Sequence, residues 1–153
     1  MEYSSNIVNV TQLLKEKINR TASPEATDRL QREVALAQLA AMLNRIHRDG
    51  LNTQEALIGE YSDVTIAIRE AAGKSTDKVI LRFSGKMFRE LKIEKRGEDW
   101  LIGYPINYDS KNTYKQFINK FEEKYNGKIW GVSTSEIEMI NQIIDRHIKE
   151  NLA

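Results

Sequence analysis

The segment KVILRFSGKMFRELKI, residues 78–93, sets Gly85 and Lys86 directly after an apolar, strand-like run, where a phosphate-binding loop would stand. Such a loop needs a glycine five positions before Gly85 to turn backbone amides inward, and a hydroxyl after the lysine to hold magnesium. Ile80 and Met87 occupy those positions, so both requirements fail. Ser84 is no nucleophile elbow either, because Arg82 stands where the first glycine of Gly-x-Ser-x-Gly belongs. What remains is a turn in which Ser84 and Gly85 break the run and Met87, Phe88 and Leu91 pack inward.

The two histidines, His47 and His147, are a hundred residues apart in sequence, and no His-x-x-x-His pair suggests zinc. His147 falls on or beside an isoleucine face and reads as a packed residue. His47 falls in the last turn of a helix, where the dipole favours a cation. Its neighbour Asp49 would be its partner if the chain were a nuclease, a reading that predicts loss of activity, with folding retained, on His47→Ala. The carboxylate pairs Glu122 with Glu123 and Glu98 with Asp99 read as solvated, unlike the partly buried acids of general acid–base catalysis. Lys86, Arg89, Lys92, Lys95 and Arg96 surround Phe88 as a single-strand groove would require. However, Glu90, Glu94, Glu98 and Asp99 interleave with them, so an ordinary exposed sheet face is expected and nucleic-acid contact is not.

These residues are carried by a readable series of elements. Ile7, Val10, Leu13, Leu14 and Ile18 repeat at helical spacing and predict an amphipathic N-terminal helix within residues 1–22, peripheral to the rest. Ser23, Pro24 and Glu25 are a helix start: a capping hydroxyl, a proline tolerated at the first position and an acid suited to the dipole. The helix that follows has one apolar row of Leu30, Val34, Ala37 and Ala41 and a second of Leu36, Leu39, Leu43 and Ile46. A band this wide predicts contact on two sides, and Gly50 ends it as a left-handed cap. Residues 51–77 read as a long connector or arm with at most one helical turn, functional or mobile by its length. KVILRF reads as a strand, and LKIEKRGEDWLIGY as two strands around Arg96 and Gly97. Tyr114, Phe117, Ile118, Phe121 and Tyr125 line one face of a helix, and GKIWGV is a further short strand. The last helix opens with Ser133 and Glu136 in a capping box and buries Ile137, Ile140, Ile144 and Ile148. The expected fold is α+β: N-terminal helices, a long arm-like connector and a small antiparallel sheet packed with two C-terminal helices, with residues 23–153 as a single domain.

At 153 residues, 41% hydrophobic and 29% charged, the chain can bury a core and is neither disordered nor membranous. No apolar run spans a bilayer, and no secretory signal is expected from the first residues. The absence of cysteine excludes disulfides and thiolate metal sites. A formal charge of +1 offers no global attraction for nucleic acid or anionic lipid.

The order of segments carries more than any one motif. RIHRDGLNTQEALIGEYSD, then KVILRFSGKMFRELKI, a strand ending IGY, an aromatic helix and finally GKIWGVSTSEIEMI resembles the virion-morphogenesis proteins of tailed bacteriophages. These are tail-completion or head–tail joining components of the neck. In that family a helix leads into a long arm, a strand ends in a Thr/Ser-Gly turn, and an apolar segment opens the last helix. Ser84 and Gly85 resemble that turn, and residues 129–133 resemble the closing segment. The likeness runs from about Arg45 onward. It implies a structural virion protein without catalysis, cofactor or metal. Its partners would be other copies in a ring and the connector and tail-tube proteins; its location would be the virion, after assembly in the host cytoplasm. It also implies an assembly interface, for which Leu57, Ile58 and Tyr61 of the arm and Ile129 and Trp130 of the closing segment are the expected anchors. The competing expectation is a small cytoplasmic inhibitor or adaptor that grips one heterologous partner through the same arm.

Overall fold

A computed structural model describes residues 23–82, 85–104 and 114–151. The helix expected within residues 1–22, the turn residue Ser84 and the side chains of Met87 and Tyr114 lie outside the described residues. The element order is helix α1 (Pro24–Asn44), a π-helical turn (Arg45–Asp49), α2 (Asp63–Ala71), α3 (Lys86–Arg89), strands β1 (Lys92–Arg96) and β2 (Asp99–Gly103), α4 (Tyr114–Lys124) and α5 (Thr134–Asn151). The fold class is α+β, with helices on either side of a two-stranded antiparallel sheet in chain order.

α1 starts as its first residues require: Ser23 Oγ accepts from the Ala26 amide at 3.2 Å, Pro24 follows it, and Glu25 lies in the first turn. Its buried row is Leu30, Gln31, Val34, Ala35, Gln38 and Met42. Leu36, expected in a second buried row, is instead exposed. The rest of that row does meet the core: Ile46 lies within it, and Leu39 and Leu43 pack against it. The last turn widens to a π-helix before Gly50 closes it at φ +65°, where a side chain would meet the Val79 carbonyl at 2.8 Å.

The arm is more ordered than its composition predicts. Leu51 and Leu57 form an antiparallel bridge around a loop in which Asn52 Oδ1 accepts from the Gln54 and Ala56 amides. Thr53 fastens this loop to the distant Lys128 carbonyl through both its amide and its hydroxyl, each at 2.9 Å. α2 then runs for nine residues from the Ser62 cap, well beyond a single turn.

KVILRF is not a strand in residues 78–82. Leu81 has φ +48°, which breaks an extended run, and the segment's peptide groups bond to side chains. Tyr61 Oη accepts the Ile80 amide, His47 Nδ1 meets the Ile80 carbonyl, and Arg69 Nη1 donates to the Arg82 carbonyl. A segment satisfied in this way needs no partner strand. GKIWGV is likewise irregular, because its Ile129 and Trp130 amides donate to Glu122 Oε1. The hairpin read around Gly97 is present, with Ile93 opposite Ile102 and Lys95 opposite Trp100. Asp28 of α1 ties it down, accepting from Trp100 Nε1 and pairing with Lys95. These two donors hold the Asp28 carboxyl below its ordinary range, Lys95 more than Trp100. The core gathers Leu30, Val34, Met42, Ile46, Ile58, Val79, Leu91, Ile102, Tyr104, Ile118, Ile129, Trp130, Ile140 and Ile144. Of the α5 isoleucines expected inside, Ile137 and Ile148 remain exposed.

Candidate functional site

The chemistry-bearing residues converge in the interior. Glu136 completes the expected capping box: its Oε2 accepts from the Ser133 amide at 2.9 Å, and Ser133 Oγ accepts from the Glu136 amide at 3.3 Å. The same carboxylate also receives Arg45 Nε on Oε1 and Gln38 Nε2 on Oε2, both at 2.8 Å. Arg45 further donates to the carbonyls of Leu51, Ile129 and Gly131, all at 3.0 Å. The π-turn, the start of the arm, the closing loop and α5 therefore meet on one buried ion pair. Both oxygens of Glu136 accept hydrogen bonds from the protein itself, and the carboxylate ties these elements together. The start of α5 takes one more acceptor, Glu55 Oε1, from the Ser135 amide at 2.8 Å. Hydrogen bonds from Ser135 hold the Glu55 carboxyl below its ordinary range.

A second set fixes the inner side of the arm. Arg69 of α2 is buried, and it donates to the Ser75 and Arg82 carbonyls at 2.7 and 3.0 Å. Its guanidinium lies over the Tyr61 ring at 4.6 Å, a cation–π contact. His47 lies edge-on to Phe88 with Nδ1 on the Ile80 carbonyl, which makes Nδ1 the protonated nitrogen. Burial, opposed by the bond to Ile80 and assisted by Arg82, pushes the His47 pKa down to about 4. The imidazole is thus neutral at pH 7, against the expected helix-end cation. Asp49 pairs with Arg48 at 2.9 Å, so His47 and Asp49 do not form the dyad a nuclease would need.

The expected interface residues divide sharply. Ile58 is 3% exposed, Trp130 2% and Ile129 0%. All three are core residues in this fold, held there by the Ile58 amide bond to Gly50 and by the Glu122 cap on residues 129 and 130. Trp130 packs against Phe121, with ring centroids 6.2 Å apart. Tyr61 is partly buried and its hydroxyl is engaged with Ile80, so it braces the arm from within. Leu57 alone of the five is open to solvent, at 64%. Gly85 forms the expected turn with φ +74° and leads into α3. Glu122, read as solvated, is a half-buried cap acceptor, whereas Glu123 and Glu98 are exposed.

Sequence reasoning missed the outward side of α2. Its inner face is Thr65, Ile66 and Arg69, while Val64, Ala67, Ile68 and Ala71 point out. Val64 is 71% exposed and Ile68 54%. With Leu57 these are the three most exposed large apolar side chains among the described residues, and all belong to the arm. The 3.6-residue spacing of DVTIAIREA was the available signal.

Among the described residues no cluster of three His, Asp or Glu side chains is placed to hold a metal ion, and no helix is long and apolar enough to cross a membrane. Comparison of the chain with protein-family models, curated proteins and solved structures finds no match.

Proposed function

We propose that this chain is a structural virion protein of a tailed bacteriophage, acting in tail completion or head–tail joining through protein–protein assembly. The observation that carries the assembly role is the arm. Its inner side is clamped to the core by Tyr61, Arg69 and Thr53, while Leu57, Val64 and Ile68 are presented outward on a rigid support. A globular protein normally covers an apolar stripe on a helix; a preordered exposed one suits a partner surface, since little ordering entropy is lost on binding. The order of segments resembling neck proteins supports the virion setting. The buried hub around Glu136 and the neutral, carbonyl-bound His47 supply architecture in this reading.

The test is mass photometry of the purified protein, alone and mixed with connector and tail-tube proteins. Ring-sized species or a stable complex with those proteins is expected. A strict monomer that ignores every virion component would refute the neck role and leave an adaptor using the same arm against one heterologous partner.

A further inference from the structure

The arm is acidic within a chain of nearly balanced charge. Residues 51–73 hold Glu55, Glu60, Asp63 and Glu70 against the single base Arg69, while the whole protein has a formal charge of +1. The fold sharpens the imbalance at α2. Arg69 is buried on the carbonyls of Ser75 and Arg82, and Lys74, the next base, is half-buried past the end of the helix. Glu55 is taken by the Ser135 amide. Glu60, Asp63 and Glu70 are exposed, and none of the three is in an ion pair among the described residues.

The helical repeat sets these acids beside the apolar stripe. Val64 and Ile68, four apart, form a ridge on the open side of α2, and Ala67 and Ala71 form a shallow row next to it. Asp63 and Glu70 each lie within about one turn of Ala67, so both border that row. Such a face suits a helix that carries an apolar stripe with cations beside it. The chain has that pattern in its own first segment, where Ile7, Val10, Leu14 and Ile18 repeat at helical spacing. Lys15, Lys17 and Arg20 stand there against Glu2 and Glu16.

Chain length decides which copy supplies it. From Ser23 to His47, α1 and its π-turn carry the chain about 36 Å. Only there does Ile80 link His47 to Tyr61, just ahead of the Ser62 cap of α2. Residues 18 and 23 can be at most about 18 Å apart in a fully extended chain. A stripe that ends at Ile18 and is tethered at Ser23 therefore falls short of its own α2. We infer that residues 1–22 of one copy dock on the open face of α2 in a neighbouring copy, the stripe against Val64, Ile68 and Ala71 and the bases along Asp63 and Glu70. The inference rests on the assembly role proposed for this face and names its occupant. Contact between two unlike surfaces repeats from copy to copy, which is how a ring closes. A twofold pairing of α2 with α2 would instead leave Asp63 and Glu70 without cations.

The test mixes two full-length variants. Leu13→Glu, Leu14→Glu disables the segment and Val64→Glu, Ile68→Glu disables the face, so in sedimentation velocity neither should associate alone. Mixed, the intact face of the first and the intact segment of the second should form a one-to-one dimer that weakens as salt rises. Asp63→Asn and Glu70→Gln, added to the first variant, should loosen that dimer about fivefold with unchanged circular dichroism. A mixture that stays monomeric, a dimer indifferent to Asp63→Asn and Glu70→Gln, or undiminished self-association of the Leu13→Glu, Leu14→Glu chain would each overturn the inference. A monomeric mixture whose Leu13→Glu, Leu14→Glu chain still binds connector or tail-tube proteins, and loses them with Val64→Glu, Ile68→Glu, would overturn it while leaving the assembly role of α2 in place. Assembly unchanged by Val64→Glu, Ile68→Glu would remove both.

Discussion

Arg45 donates to one carboxylate and three carbonyls while almost wholly buried, so its removal strands several acceptors at once. Breaking a buried ion pair from one side costs more than the pair contributes, because the remaining charge keeps its desolvation penalty. Arg45→Met should therefore destabilise the fold by about 3–5 kcal/mol, read as a lowered urea midpoint. A loss below about 1 kcal/mol would mean that the hub does not hold these elements together. His47 offers a pH test at the same scale. Its folded pKa is about 4 against an ordinary 6.5, so the unfolded chain binds the extra proton between those values. The stabilisation is full above pH 6.5 and is lost as pH falls from there toward about 4. Partial exposure screens it to about 1–2 kcal/mol. His47→Asn keeps a donor for the Ile80 carbonyl and should remove this part of the slope, measured as urea midpoints of both proteins between pH 7 and pH 4. Identical slopes would contradict the buried, neutral ring. The local half of this chemistry was legible: Ser133 and Glu136 stand three apart and cap α5. The rest was not, since Arg45 reaches Glu136 across 91 positions and nothing local marks an arginine as buried.

Among the elements, the arm departs most from its sequence. Its glycines and polar residues read as a structureless connector because the groups that order it lie far along the chain, on Lys128, Tyr125 and Ser135. Gly59 shows how close the approach is: at φ +156° a side-chain carbon there would sit 2.7 Å from the Tyr125 ring. Gly59→Ala should destabilise the protein by more than about 1 kcal/mol, since the ring must move. Ile58→Ala should cost about 2–4 kcal/mol as a core deletion, where an interface residue would leave stability untouched. Denaturation midpoints of the two variants equal to that of the parent would restore the detached arm. The hairpin and α1 were legible because their periodicity and turn residues are local. KVILRF was misread for the opposite reason: a strand-like composition says nothing about whether a neighbouring strand exists, and here Tyr61, His47 and Arg69 take that place.

For the molecule as a whole, the α+β class followed from the alternation of periods, whereas the division between interior and exterior did not. Four of the five residues expected to grip a partner hold the fold together instead, and the most exposed large apolar side chains among the described residues are Leu57, Val64 and Ile68. Composition cannot separate these cases, because an isoleucine facing the core and one facing a partner carry the same pattern. The two roles nevertheless separate by experiment. Val64 and Ile68 are one turn apart on the open side of α2, so glutamate at both positions removes little that folding uses. Stability should change by no more than about 0.5 kcal/mol per site. Burial of the same stripe against a partner would make each an anchor worth about 2 kcal/mol or more, so association should weaken at least about thirtyfold for each site. The double variant Val64→Glu, Ile68→Glu should therefore keep the parental urea midpoint while losing the assembled species in sedimentation velocity. A fall in the midpoint as large as that of Ile58→Ala would show that the stripe serves the fold. Assembly that persists undiminished would move the interface away from α2.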